Sequence, residues 1–326
     1  MDKKNILLTY DYELFLGKDS GDLYTTLINP TNKILDYLSK YNAKGLFFID
    51  ATFLVIIKEL ECFNIVKKQI QDIVNQGHDI GLHIHSHWYD AKQTQNCRWT
   101  FDKFEHFRLH SYNNIEIESI VRTNYTLLSD IVYEVNQDYK IDTFRAGGWC
   151  IQPFDKLVKV FNDIGIKYDL SVLPGIKDDD MPRHYYNYTN YPKNKYSWKF
   201  SNDILHEDTN GHFIEISNTV FNMNIIDLMK NRKLIKNYKI AGDGKGAGKK
   251  KTFFEQLKRV RWNVKQIVSS DAIDIDIFKK YIDKIQRDTI VYVAHPKLFS
   301  DNSFIVLEYI CKTFNCLSYK EIKIDE

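Results

Sequence analysis

Cysteine is scarce in this chain of 326 residues: there are five, an odd number, and no two stand in a CxxC pair. That excludes a zinc-finger module and a disulfide-rich scaffold. Cys62, Cys97, Cys150, Cys311 and Cys316 therefore read as free structural thiols in a reduced, cytoplasmic setting. Long apolar runs are missing as well. No stretch approaches the roughly 20 apolar residues that span a bilayer, and the first apolar run, residues 6–8, is too short for a signal peptide. Excess charge of one sign is also absent. A net charge of +2 gives the whole chain no pull toward nucleic acid, which is excluded as a partner, or toward an anionic membrane. There is no internal repeat, and the single low-complexity stretch is AGDGKGAGKKK at 241–251. It resembles a phosphate-binding loop only superficially, because its glycine spacing fails and Lys250 stands where that loop needs Ser or Thr.

The remaining composition is that of a globular protein, with 44% hydrophobic and 27% charged residues. Its 21 Tyr and 20 Phe suit thick core packing. Short strand-like runs alternate with helical spacing, the pattern of parallel β/α construction. The runs are NILLTY, KGLFFID, HDIGLHI, DTFRA, IKYDLSV and DTIVYVAH, with helices expected from about Pro30 and from Ile115. We read residues 1–326 as one domain with insertions at about 88–135, 176–217 and 222–272. The first two are expected to roof the site, the second through a hairpin turning at Asn210-Gly211.

Ligand sites in parallel β/α folds gather at the carboxyl ends of the strands. The reading places Asp11, Glu13, His83, Arg145, Asp169 and His295 at that rim. In GLHIHSHW, residues 81–88, two pairings of metal-ligating imidazoles compete. His83 and His85 share a face if the strand continues. His83 and His87 pair if a turn follows, leaving His85 to line the pocket, and Ser86 and Gly81 favour this second arrangement. Two imidazoles need an anionic third ligand to form a catalytic zinc site with an open position. TYDYE supplies it, since alternation sets Asp11 and Glu13 on one face and Tyr12 on the other. Structural alternatives are an exposed strand end with solvated acids and, for the aromatics, packing at the barrel mouth.

Five segments in order resemble the motifs of the polysaccharide deacetylases, family 4 of the carbohydrate esterases: LLTYDYE, GHDIGLHIHSH, FRAGGW, YDLSVLPG and VYVAHP, spanning 5–296. The variant is similar to the WbmS-like branch, associated with bacterial surface-polysaccharide synthesis. The resemblance implies a distorted (β/α)7 barrel, a divalent metal with zinc as first choice, and hydrolysis of an N-acetyl group on an amino sugar. It also implies roles: Glu13, His83 and His87 as metal ligands, Asp11 as general base, Arg145 as the cation that keeps it ionised, His295 as general acid and Asp169 as its orienting carboxylate. The chain departs from the commonest first motif, in which two aspartates are adjacent, because Tyr12 follows Asp11. Glu13 then takes the second acid's place. A backbone N–H of Gly148 or Trp149 is the implied oxyanion donor, and Tyr12, His85, Trp88 and Trp149 are candidate sugar contacts.

The expected substrate is an N-acetylated sugar on a nucleotide-linked or lipid-linked glycan precursor of surface polysaccharide or lipopolysaccharide. The basic run 245–261 reads either as a solvated loop or as a phosphate or membrane contact that would place the chain against the inner face of a membrane. His206, Glu207 and Asp208 read as an exposed turn. Two alternatives remain: hydrolysis of another C–N bond, such as a cyclic imide or ureide, and carbohydrate binding without turnover.

Overall fold

In a computed structural model, described over residues 3–181, 183–247 and 263–323, the apolar runs form one curled sheet of nine strands. These are β1 (Asn5–Tyr12), β2 (Leu46–Asp50), β3 (Asp79–Ile84), β4 (Thr143–Ala146), β5 (Tyr168–Asp169), β6 (Ser197–Phe200), β7 (Phe213–Ile216), β8 (Thr289–Ala294) and β9 (Asn315–Cys316). The order is β6-β7-β5-β4-β3-β2-β1-β8, with β9 added beside β1. The seven strands from β7 to β8 are mutually parallel, and β6 runs antiparallel at the edge. The fold is thus mixed α/β around a curled parallel sheet, the class expected from the sequence.

Strand alternation decides which side chains face inward. Ile6, Leu8, Tyr10 and Tyr12 pack outward with Ile34, Val66, Ile70 and Leu128 from the surrounding helices. Leu7 points the other way, into a smaller inner cluster with Leu46, Phe48, Leu170, Ile214, Ile216 and Val291. Tyr319 and Ile322 join this inner cluster from the C-terminal turn, where Tyr319 donates to Asp142 at 2.5 Å and Ser318 to Asp79 at 2.7 Å. They plug the end of the barrel where the strands begin. Between β7 and β8 the ring is joined without a continuous ladder. The Val291 amide donates to the Thr219 hydroxyl at 2.9 Å, and Val268 links Thr219 to Val293 through bonds of 2.9 and 3.0 Å.

All six runs recognised in the sequence become strands of this sheet, and the seventh parallel strand, β7, lies where a roofing hairpin was expected. A hairpin does form, but it joins β6 to β7 inside the sheet through residues 201–212. Asp203 explains the difference: its carboxylate accepts the Leu205 amide at 2.9 Å, folding the stretch read as a strand into a turn. Within 88–135, helix Asn114–Tyr133, opened by an Asn113/Glu116 capping box, covers the sheet as a regular barrel helix. Only the part before it is an insertion, with a small hairpin of Lys92–Gln95 and Arg98–Thr100. The third insertion carries a ribbon of Val220–Asn224 with Asn263–Ile267, and helix Ile225–Ile235. Lys249, Lys250, Lys251, Lys258, Arg259 and Arg261 of the basic run lie outside the described residues.

The free-thiol reading needs correction. Cys62 and Cys97 form a disulfide with 6.4 Å between their Cα atoms, because the 92–100 hairpin folds back onto the start of helix Cys62–Asn75. Cys150, Cys311 and Cys316 are free. The thiol count therefore no longer supports a reducing compartment. Among the described residues no helix is long and apolar enough to cross a membrane.

Candidate active site

The inward parity that buries Leu7, Phe48 and Val291 brings Asp11 and Glu13, His83 and His85, Arg145, and His295 to one rim. Glu13 is the hub. Its Oε2 lies 2.6 Å from His85 Nε2 and 3.2 Å from His83 Nε2, and its Oε1 accepts from Lys297 Nζ at 2.7 Å. Burial alone would raise the Glu13 pKa. The charges of Lys297 and His85, with the histidine hydrogen bonds, outweigh it and hold the carboxyl well below its usual range. His83 donates Nδ1–H to the Arg145 carbonyl at 2.7 Å, which turns Nε2 toward Glu13. Burial disfavours its protonation, yet Glu13 and Asp11 lift its pKa to about 8.

Asp11 accepts from Arg145 Nη1 at 2.5 Å. The guanidinium is fully buried and fixed by every arm: Nε bonds the Leu170 carbonyl at 3.1 Å, and Nη2 bonds Thr9 Oγ1 at 2.9 Å and Asn218 Oδ1 at 3.3 Å. It lies 4.2 Å from the Phe48 ring centre and 5.3 Å from that of Trp149. Burial pushes Asp11 toward the neutral form. Arg145, then His83 and His295, reverse that and leave it ionised below its ordinary pKa.

His295 stands with Nε2 at 3.5 Å from both Asp11 Oδ2 and Glu13 Oε1, and its side chain, 20% exposed, is the most open of the cluster. Its partner is Asp271, which accepts Nδ1–H at 2.7 Å and the His295 amide at 3.1 Å. Burial lowers the His295 pKa, but Asp271, Asp11 and Glu13 raise it overall. Asp169, expected in the orienting role, sits elsewhere. It follows the outward parity of β5, pairs in register with Glu215 of β7, and accepts from Ser171 N and Oγ at 2.8 and 3.1 Å.

Three more expectations change. Glu13, His83 and His85 are the group whose ligand atoms lie within 4.8 Å of one another, while His87 lies outside it. The strand ends at Ile84 and a turn follows, yet His85, the first residue beyond the strand, keeps the inward side of His83, so the two pair as alternate residues. His87 lies within the following 3-10 turn, Ser86–Asp90, and stacks at 4.7 Å on Phe107, beside Phe101, and neither ring nitrogen has a hydrogen-bond partner. Tyr12 faces outward, buried, with its hydroxyl on Gln69 at 2.8 Å. Trp88 is also buried; its indole N–H holds Asp50 at 2.6 Å, and the ring packs on Phe53, Trp99 and Phe101.

The Gly147–Trp149 turn roofs Arg145. A Cβ on Gly147 would lie 2.4 Å from the Ile84 carbonyl and 2.8 Å from His85 Nδ1, so only glycine lets the turn approach this closely. Gly148 and Trp149 both adopt positive φ, 60° and 65°, which bends the backbone back over the rim. Trp149 stays half-buried there, and hairpin Lys177–Asp180/His184–Asn187 and Phe107 pack against the turn.

Sequence reasoning missed Asp271 and Lys297. Asp271 sits on a loop with no spacing relation to His295, so nothing in the chain announces it. Lys297 lies in the 3-10 turn Pro296–Leu298, past the end of β8, where strand alternation no longer tells which way a side chain faces.

Residues 1–107 match the family model described as Polysaccharide deacetylase, which covers β1 to β3 and therefore Asp11, Glu13, His83 and His85. No curated protein matches the chain. Among solved structures, it is similar to a 4-alpha-glucanotransferase from Thermococcus litoralis at 12% identity, over 98% of this chain and 40% of that one, with a TM-score of 0.52. A Mycobacterium smegmatis protein described as a polysaccharide deacetylase is 14% identical over 95% of this chain and 85% of that one, TM-score 0.47. A family 4 carbohydrate esterase pseudoenzyme from Bacillus anthracis is 11% identical over 95% and 60%, TM-score 0.42. At 12% identity the likeness to the glucanotransferase concerns the fold alone.

Proposed function

We propose that this chain is a metal-dependent hydrolase that removes an N-acetyl group from an amino sugar in a surface-polysaccharide or lipopolysaccharide precursor, in the manner of the WbmS-like branch. The observation that carries the reading is the convergence of one carboxylate and two imidazoles within 4.8 Å, beside a buried aspartate gripped by arginine.

The donor set fits a metal. His83 spends Nδ1–H on a carbonyl and keeps Nε2 for the cluster, and Glu13 presents Oε2 to both imidazoles. Two nitrogens and one oxygen suit zinc with a position left for substrate. Glu13, His83 and His85 would hold it, and when bound it supplies Lewis-acid polarisation of the acetamide carbonyl and of water. Asp11, kept ionised by Arg145, takes the proton of the attacking water. A backbone N–H of the Gly147–Trp149 turn faces the developing oxyanion, a contact type that contributes about 3 kcal/mol. His295, with Nδ1–H held by Asp271, gives its Nε2 proton to the departing nitrogen, so acetate and a free amine leave. Trp149 offers a half-exposed ring for stacking on a sugar.

Metal analysis of the purified chain, followed by acetate release from a panel of nucleotide-linked and lipid-linked N-acetylated sugars, tests this. We expect about one zinc per chain and acetate from at least one panel member. No release after loading with zinc, cobalt or nickel overturns it. A binding-only reading draws on a single observation: Lys297, His83 and His85 already satisfy Glu13 within the chain. Failure to take up zinc together with measurable glycan affinity would establish that reading instead.

A further inference from the structure

We propose that helix Ile225–Ile235 and the turn after it form a docking surface for an anionic lipid membrane. Ile226, Met229, Lys230 and Lys233 follow the i, i+3, i+4, i+7 spacing that puts them on one helix face. All four are exposed, Ile226 at 74% and Met229 at 66%. Arg232, Lys236 and Lys239 extend the exposed positive charge, and among the described residues none of the five cations is held in an ion pair. The one acid in 225–239, Asp227, is buried beneath the helix and bonds Lys280 at 2.6 Å and Tyr281 at 2.7 Å. On a chain whose net charge is only +2, this is a local concentration rather than a reflection of the whole.

The inner face is fully engaged, so the outer face cannot turn inward. Asn231 bonds the Ala272 carbonyl at 2.9 Å and the Asp274 amide at 2.8 Å, and Tyr238 donates to Asp274 at 2.5 Å. The same contacts set the surface beside the mouth of the site. Ala272 follows Asp271, the partner of His295, and Gly242 donates its amide to the Lys297 carbonyl at 2.9 Å. The bare Ile226 and Met229 side chains select the occupant. A hydrated soluble polyanion would be attracted by the lysines and gain nothing from the two apolar side chains. A lipid surface receives both, cations at the headgroups and apolar groups at the acyl boundary.

The test is co-sedimentation of the full chain with vesicles of phosphatidylcholine alone or mixed with phosphatidylglycerol. Binding should require phosphatidylglycerol and fall with salt, because each cation near such a surface contributes about five-fold in partition. The charge reversal Lys230→Glu/Lys233→Glu should lower partition at least ten-fold. Ile226→Ser/Met229→Ser should lower it several-fold without changing the salt dependence, and both should keep the wild-type melting temperature. Absence of vesicle binding, equal binding to the two compositions, or binding only to a soluble polyanionic polysaccharide overturns the proposal. So does loss of binding that follows Lys249→Gln/Lys250→Gln/Lys251→Gln instead of the helix variants. The assay needs no turnover, and failure of the deacetylase reading would leave its result standing.

Discussion

Two pairs of buried carboxyls lie on this one sheet, and they have opposite fates. Asp11 and Glu13 face inward at the rim, where Arg145, Lys297, His83, His85 and His295 surround them and both are held ionised. Asp169 and Glu215 face outward on neighbouring strands. Burial raises both, and the neighbouring Asp169 charge raises Glu215 further: Asp169 rises to about 6 and Glu215 goes well above its usual value. Glu215 Oε1 accepts the Val172 amide at 3.0 Å, and we infer that the coupled pair holds one proton, Glu215 donating toward Asp169. Burial is common to both pairs. The availability of a cation decides whether a pair can take up a proton from water or merely retains one.

The largest test of this contrast is Asp11→Asn. Turnover should fall by about 10^2 to 10^4-fold, the range for loss of a general base, while zinc content stays unchanged; retained turnover would remove Asp11 from the chemistry. Arg145→Met comes next. It strands the Asp11 carboxylate in the interior, and chemical denaturation should show a loss of about 3–5 kcal/mol; a near-neutral result would mean that Asp11 simply protonates.

Lys297→Met opposes two terms. Freeing Glu13 forfeits about 1 kcal/mol of side-chain ordering, but a lysine bonded to a ligand carboxylate at 2.7 Å would repel a divalent ion by several kcal/mol even at an effective dielectric of about 20. Repulsion should win. Chelator competition should report zinc bound about ten-fold more tightly (about 1.4 kcal/mol), and weaker binding would show that positioning dominates.

The smallest effect belongs to Glu215→Gln. With the folded pKa of Asp169 near 6, above its unfolded value of 3.8, the native state binds more protons across that interval. Wild-type stability should therefore decline as pH rises from about 4 to 6. The glutamine can donate to Asp169, flatten that decline and add about 1 kcal/mol at pH 8. Parallel pH curves for the two proteins would refute the shared proton.

The comparison also shows which parts of the molecule are legible in a sequence. Parity is local, so the inward placement of Asp11, Glu13, His83, Arg145 and His295 follows from strands seen as NILLTY, HDIGLHI, DTFRA and DTIVYVAH. Where a strand stops is decided by tertiary packing. That is why His85 rather than His87 joins His83, and why Asp169, at the right end of its strand, faces the wrong way. Partners contributed by loops leave no periodic trace. Asp271 reaches His295 because the ribbon residue Val268 is paired to Val293 beside β8, a pairing that no spacing in the chain records. The disulfide escaped for a similar reason, since Cys62 and Cys97 are 35 residues apart and meet through a hairpin fold-back.

The joint between β7 and β8 gives the barrel a clasp instead of a seam. A hydroxyl and a few amides around Thr219 and Val268 hold it, in place of a zipped ladder. The same short stretch of chain carries Asn218, which holds Arg145, so any loosening of the clasp reaches the arginine and through it the base. Mechanical integrity of the cylinder and readiness of its chemistry are therefore one property in this protein, and a substitution at Thr219 should be felt at Asp11 before it is felt in the fold.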